Sequence, residues 1–179
     1  MSKMEKRKKK GPKEAAWDVA VMGMMIATLE AGKMALSAAP NVEIVTLLVI
    51  LYTLRFGKKT LYAVVVFVLL ECAVWGIGLW TVMYLYLWPL LSLTVFCLRK
   101  IDSLWFWSIF SAVFGVMYGG LCSFAYLLFG GPSTAFAWWI AGIPWDLFHG
   151  TANFILMMVL YTPLLRVLRR IAPPGSEGG

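Results

Sequence analysis

Residues 23–63 read GMMIATLEAGKMALSAAPNVEIVTLLVILYTLRFGKKTLYA. One apolar run ends in SAAPNVE, a connection without Lys after position 33 and without Arg. A second apolar run follows and ends at Arg55, Lys58 and Lys59. The same alternation continues outward in both directions. Of the sixteen Lys and Arg residues, fifteen lie in four clusters: the N-terminal tail from Lys3 to Lys13, the FGKK connection together with Arg55 just before it, the RKIDS connection with Arg99 and Lys100, and Arg166, Arg169 and Arg170 near the C-terminus. The intervening connections, SAAPNVE, WGIGLW and FGGPSTAFAWW, contain none. Basic residues concentrate in cytoplasmic loops, so this pattern predicts an even number of spans with both termini inside.

Composition agrees with a membrane solvent. The chain has 179 residues, 61% hydrophobic and only 14% charged. A soluble domain is about half apolar and a quarter charged, and so few polar residues cannot coat a globule. Six apolar segments are predicted: Trp17 to Ala39, Val42 to Phe56, Thr60 to Gly78, Trp80 to Leu98, Leu104 to about Phe129, and about Ala135 to Leu168 with an interruption at Pro144. The expected fold is an all-α polytopic membrane protein with six transmembrane helices, N-in and C-in. Residues 1–15 form a basic cytoplasmic tail, residues 16–170 the membrane domain, and residues 171–179 a tail of disordered composition. The net charge of +7 comes mostly from MSKMEKRKKKGPK. Beside a first span, such a tail fixes topology and touches anionic lipid, so nucleic acid is not expected as a partner. No small-residue cleavage site follows, so the tail does not read as a secretory signal.

Several chemistries lack their residues. Cys72, Cys97 and Cys122 are isolated, no CxxC occurs, and the chain has one histidine. Neither a disulfide framework nor a zinc site is expected. FGKKT at 56–60 lacks the upstream glycine of a phosphate-binding loop. No enzymatic motif, cofactor or metal is expected.

Ionisable residues inside spans are costly and mark function. Here Glu30, Lys33, Glu43, Glu71, Asp146 and His149 all fall in the outer half of their segments. The inner half is almost purely apolar. Stacking at one level suits an outward binding pocket with a closed floor, whereas an ion path needs polar groups at successive depths. Asp146, His149 and Asn153 share a helical face at i, i+3, i+7. With Asn41, Glu43 and Glu71 they are the candidate polar contacts, and Trp75, Trp80 and Trp139 the candidate walls. Two readings stay open for Trp75, Trp80, Trp138 and Trp139, a pocket wall or an interfacial belt. Two also stay open for Glu30 and Lys33: a structural i, i+3 ion pair, or ligand-facing charges. The spacing of Ala20, Gly23, Ala27 and Ala31 puts a shallow groove along the first segment, for a neighbouring helix of the same chain or for a partner.

The 23–63 stretch, with its small-xxx-small helix, Pro40-Asn-Val-Glu43 and the Val-Thr-Leu-Leu helix after it, resembles the first half of substrate-binding S components of energy-coupling-factor (ECF) transporters. WWIAGIPWDLFHGTANFILMMVLYTPLLRVL, at 138–168, resembles their sixth helix. The resemblance covers residues 17 to 170. It implies a six-helix vitamin-binding protein in a prokaryotic plasma membrane, serving a transmembrane coupling subunit and two cytoplasmic ATPases. It also implies that the small residues of the first helix meet the coupling subunit, and that the ligand lies near the outer surface by helices four to six. Gly23 departs from the alanine usual at the first motif position. Pro-Asn-Val-Glu and the Trp-rich outer connections most resemble the cobalamin-type members.

Two other classes compete. A b-type cytochrome needs paired axial ligands, which one histidine cannot provide in a monomer. A stand-alone secondary transporter usually shows internal repeats and midplane charges, and neither is evident.

Overall fold

A computed structural model describes residues 11–171. The basic tail before Gly11 and the C-terminal tail after Ile171 lie outside the described residues. The described chain is all-helical: α1 (Pro12–Ala35), α2 (Val45–Phe56), α3 (Lys59–Trp75), α4 (Leu79–Leu98) and a final helical stretch, Leu104–Ile171. That stretch is broken at Gly131, whose φ of 78° and ψ of 178° are non-helical. Its two arms are α5 (104–130) and α6 (132–171).

Local chemistry explains most of the boundaries. Pro12 occupies the first turn of α1, where its missing N–H costs nothing, and the Glu14 carboxylate accepts from the Gly11 N–H at 3.2 Å. The Glu43 carboxylate accepts from the Thr46 N–H at 2.9 Å, satisfying one orphan donor at the start of α2. Ser103 Oγ accepts from the Phe106 N–H at the start of α5. Gly57, Gly76 and Gly131 all have positive φ at helix ends, a conformation that disfavours side chains. Pro132 then opens α6 as Pro12 opens α1.

The sixth segment differs from its expected form. The predicted outer loop, FGGPSTAFAWW, is reduced to the break at Gly131, and helix continues through Pro144. A proline inside a membrane helix is tolerated where neighbours re-satisfy the freed backbone. A glycine with positive φ followed by proline is the stronger helix breaker, because Pro disfavours helix in the residue before it.

α2 is the centre of the bundle and packs against α1, α3, α4 and the α5–α6 stretch. Every residue from Val45 to Thr53 is buried. Its 12 residues extend about 18 Å, short of a hydrocarbon core of about 30 Å. Wrapped on all sides by other helices, it need not match the bilayer itself. Polar links reinforce this core: Thr28 Oγ1 lies 2.6 Å from the Tyr52 hydroxyl, and Thr53 Oγ1 lies 3.2 Å from Ser92 Oγ. The outer helices present Val65, Leu69, Leu85, Leu93, Ile109, Val113, Phe124 and Val159 to their surroundings. A soluble monomer does not expose apolar surface on this scale. Pro12–Ala35, Leu79–Leu98 and Leu104–Ile171 are long and apolar enough to cross a membrane. The protein is an all-helical membrane protein by length, composition and surface.

One end of the bundle carries Lys13, Arg55, Lys58, Lys59, Arg99, Lys100, Arg166, Arg169 and Arg170. Here Lys59 Nζ donates to Asp18 Oδ1 at 2.6 Å, tying α3 to α1. The other end holds connections 36–44 and 76–78 and the Gly131 break.

Candidate binding cavity

Near the less basic end, each of the six helical arms or their connections sends a side chain into one cavity of about 220 Å³. Lys33 comes from α1, Asn41 and Glu43 from the connection that follows, Val45 from α2 and Phe67 from α3. Tyr84 and Trp88 come from α4, Tyr118 from α5 and His149 from α6. Asn41 has a φ of 57°, the left-handed conformation that asparagine tolerates better than other side-chain-bearing residues. The chain reverses at this point, and Glu43 enters the bundle two residues later.

Glu43 serves two purposes. Oε2 caps α2 through Thr46, and Oε1 lies 3.3 Å from His149 Nε2. A carboxylate only accepts, so a hydrogen bond here puts the imidazole proton on Nε2. The Tyr118 ring meets the His149 ring edge-on at 4.9 Å between centroids. Tyr84 packs edge-to-face between Trp80 and Trp88. The cavity thus has a polar wall from Lys33, Asn41, Glu43 and His149 and an aromatic wall from α4 and α5.

The ammonium of Lys33 does not pair with Glu30. It donates instead to Glu71 Oε2 on α3 and lies 5.3 to 5.8 Å from the ring centroids of Trp75, Trp80 and Tyr84. Of the two readings of Glu30 and Lys33, the mutual ion pair is not formed. Both Glu30 carboxylate oxygens are buried without a hydrogen-bond partner. Glu71 is fully buried; its second oxygen, Oε1, also lacks a partner.

The remaining candidates fall into three places. Asp146 is buried, and its Oδ1 accepts from the Gly119 N–H at 3.0 Å. It faces a second cavity, of about 520 Å³, with Asn41, Tyr118, Cys122, Trp138 and Trp145. The two cavities share Asn41 and Tyr118 and are therefore neighbours. Asn153 lies on the same face as Asp146 and His149 but lines neither cavity. Its Nδ2 donates to the Ser111 carbonyl at 3.5 Å, and Ser111 Oγ donates back to the Asn153 carbonyl at 3.2 Å. Asn153 is thus a joint between α5 and α6. Trp139 lines an apolar groove between the outward sides of α5 and α6, with Phe124 and Ile143. Trp75 and Trp80 stand around Lys33 rather than in the cavity lining.

Tyr84, Trp88, Tyr118 and Trp145 were not among the expected contacts. Their helices read as uniformly apolar or aromatic, and periodicity alone does not show which face turns inward. Tyr84 and Trp88 at i, i+4 carried a weak signal, because one face of α4 then holds two aromatic rings with polar tips.

The small residues of α1 are placed differently from those inside the bundle. Ala20, Gly23, Ala27 and Ala31 are all exposed, and a Cβ added at Gly23 would meet nothing within 4 Å. By contrast, a Cβ on Gly115 of α5 would lie 2.8 Å from the Gly150 Cα of α6. Between the two readings of the α1 stripe, the helices of this chain leave it uncovered.

Among the described residues, no group of three or more His, Cys, Asp or Glu could hold a metal ion. No family model, curated protein or solved structure matches the chain.

Proposed function

We propose that the chain is the membrane-embedded solute-binding component of an uptake system of the ECF type. It has six spans with both termini in the cytoplasm and captures a vitamin or vitamin precursor at the outer face of a prokaryotic plasma membrane. The observation that carries this reading is the convergence of side chains from all six arms on one polar and aromatic cavity near the less basic end. A ligand held there contacts every helix, so binding can bias the arrangement of the whole bundle. The apolar, tightly packed interior around α2 supports capture without a continuous polar path across the membrane.

The uncovered stripe of Ala20, Gly23, Ala27 and Ala31 supports docking to a transmembrane coupling subunit, with two ATPases supplying the energy from the cytoplasm. Small residues allow close helix approach, and helices pack in lipid by such contact. The larger cavity, of about 520 Å³, falls within the range of drug-sized ligand pockets, and the cavity of about 220 Å³ adjoins it. A small vitamin fits that space as it stands. A corrinoid, as in the cobalamin-type branch, requires the 36–44 connection to move outward.

Native mass spectrometry of the gently purified protein tests the reading. A single vitamin-sized molecule that co-purifies and rebinds in calorimetry supports it. A haem absorbance spectrum, or transport by the chain alone in vesicles, overturns it.

A further inference from the structure

The basic end of the bundle holds a cavity of its own, of about 400 Å³. Three guanidinium-bearing residues line it from three separate elements: Arg55 from the last turn of α2, Arg99 from the C-cap of α4 and Arg169 from the last turn of α6. Asp102 and the buried Tyr161 complete its polar lining, and Leu54, Ile101 and Leu165 form an apolar side. Arg99 and Arg169 are both exposed, so two guanidiniums of the lining stand accessible beside its one carboxylate, Asp102, while Arg55 has contacts of its own.

The site is built rather than draped. The α4–α5 connection that carries Arg99 and Asp102 is held by the Ile101 N–H donating to the Leu98 carbonyl at 3.0 Å. The Trp107 indole N–H donates to the Ile101 carbonyl, also at 3.0 Å. Trp107 is fully buried, so that turn is anchored in the core. Gly57, at a φ of 59°, turns the chain beside the cavity without a side chain to fill it. Arginines in a last helical turn also complement the helix dipole, but that role needs no cavity and no convergence of three elements.

We propose that this cavity binds the phosphate of a phospholipid headgroup from the cytoplasmic leaflet. Guanidinium forks match phosphate oxygens bidentately. The apolar side formed by Leu54, Ile101 and Leu165 accepts the glycerol and upper acyl carbons, which a soluble phosphate lacks. Basic pockets between helices at the cytoplasmic boundary are where phospholipid headgroups bind. Asp102 accepts from a headgroup ammonium or hydroxyl. The site therefore prefers phosphatidylethanolamine or phosphatidylglycerol to phosphatidylcholine. Bound lipid then links α2, α4 and α6 at the inner face.

The test uses the full chain in detergent, titrated separately with phosphatidylglycerol, phosphatidylcholine and inorganic phosphate. Native mass spectrometry counts bound molecules, and thermal unfolding reads protection. Phosphatidylglycerol is expected to bind one to one and raise the melting temperature. Arg99→Gln with Arg169→Gln should weaken it by about tenfold or more. Both residues are exposed, so the fold should survive their replacement. Lys100→Gln and Arg166→Gln, basic residues of the same end outside the cavity, should leave binding unchanged. Equal losses in both pairs would show diffuse attraction and overturn the site. Protection by inorganic phosphate alone, with the same arginine dependence, overturns the lipid assignment in favour of a soluble phosphate. Saturation by neither also overturns it.

Discussion

Glu43 and Glu71 are two carboxylates of the bundle with different partners, His149 and Lys33. Glu43 and His149 line the cavity and touch each other. His149→Ala or Glu43→Gln should weaken binding of the co-purifying solute by roughly 10- to 150-fold, the value of one hydrogen bond to a charged group. Calorimetric titration of each variant checks this, and unchanged affinity would place the site elsewhere. Glu71 behaves differently, because its fully buried carboxylate is held by Lys33. Lys33→Met strands that charge and should destabilise the ligand-free protein by about 3–5 kcal/mol. Adding Glu71→Leu should restore much of the loss, since an apolar pair of similar volume replaces a costly ionic one. Thermal unfolding of the two variants side by side decides it. If the single and double variants melt together, the Lys33–Glu71 contact contributes little.

At the scale of elements, two seams of small residues have opposite environments. Gly115 and Gly150 bring α5 and α6 into backbone contact, and a methyl on Gly150 would lie 2.7 Å from the Ala112 carbonyl. Gly150→Ala should therefore cost about 1–3 kcal/mol by forcing the helices apart. Gly23 on α1 faces open space. Gly23→Leu should leave the melting temperature and solute affinity unchanged while blocking uptake in cells that supply the coupling subunit. A loss of affinity with assembly intact would make the α1 stripe part of the binding domain. The break at Gly131 also belongs to this scale. Its φ of 78° and ψ of 178° lie outside the regions open to L side chains, so Gly131→Ala should cost about 1–3 kcal/mol and alter the angle between α5 and α6.

For the whole molecule, the basic charge and the six-arm cavity lie along one axis. The basic residues gather at one end, and the six-arm cavity lies toward the other. With the native cysteines replaced, a cysteine at Ser133 should react with an impermeant maleimide added to intact cells, and one at Lys58 should not. The reverse labelling pattern would invert the bundle and place the cavity at the cytoplasmic face. Ser133 is exposed beside the Gly131 break, so its reactivity reports the side of the membrane rather than burial.

Sequence by itself determined that this is an all-helical membrane protein with one basic end, because both properties follow from composition and spacing along the chain. Apolar runs of span length require a hydrocarbon solvent, and Lys and Arg clusters recur at alternate connections. It also singled out Glu43 and His149, since an ionisable group in an apolar run is conspicuous without coordinates. Tertiary structure decided the partners. Lys33 and Glu30 are neighbours on one helix, yet Lys33 reaches Glu71, because the approach of α3 offers a buried carboxylate that no spacing rule within α1 anticipates. Asn153 shares a face with His149 but meets Ser111 across the tight Gly115–Gly150 crossing. The aromatic wall from Tyr84, Trp88 and Tyr118 emerged only when the helices were rotated against one another. In a helix apolar all round, the inward face is set by packing against its neighbours, and side-chain pattern carries almost no record of it.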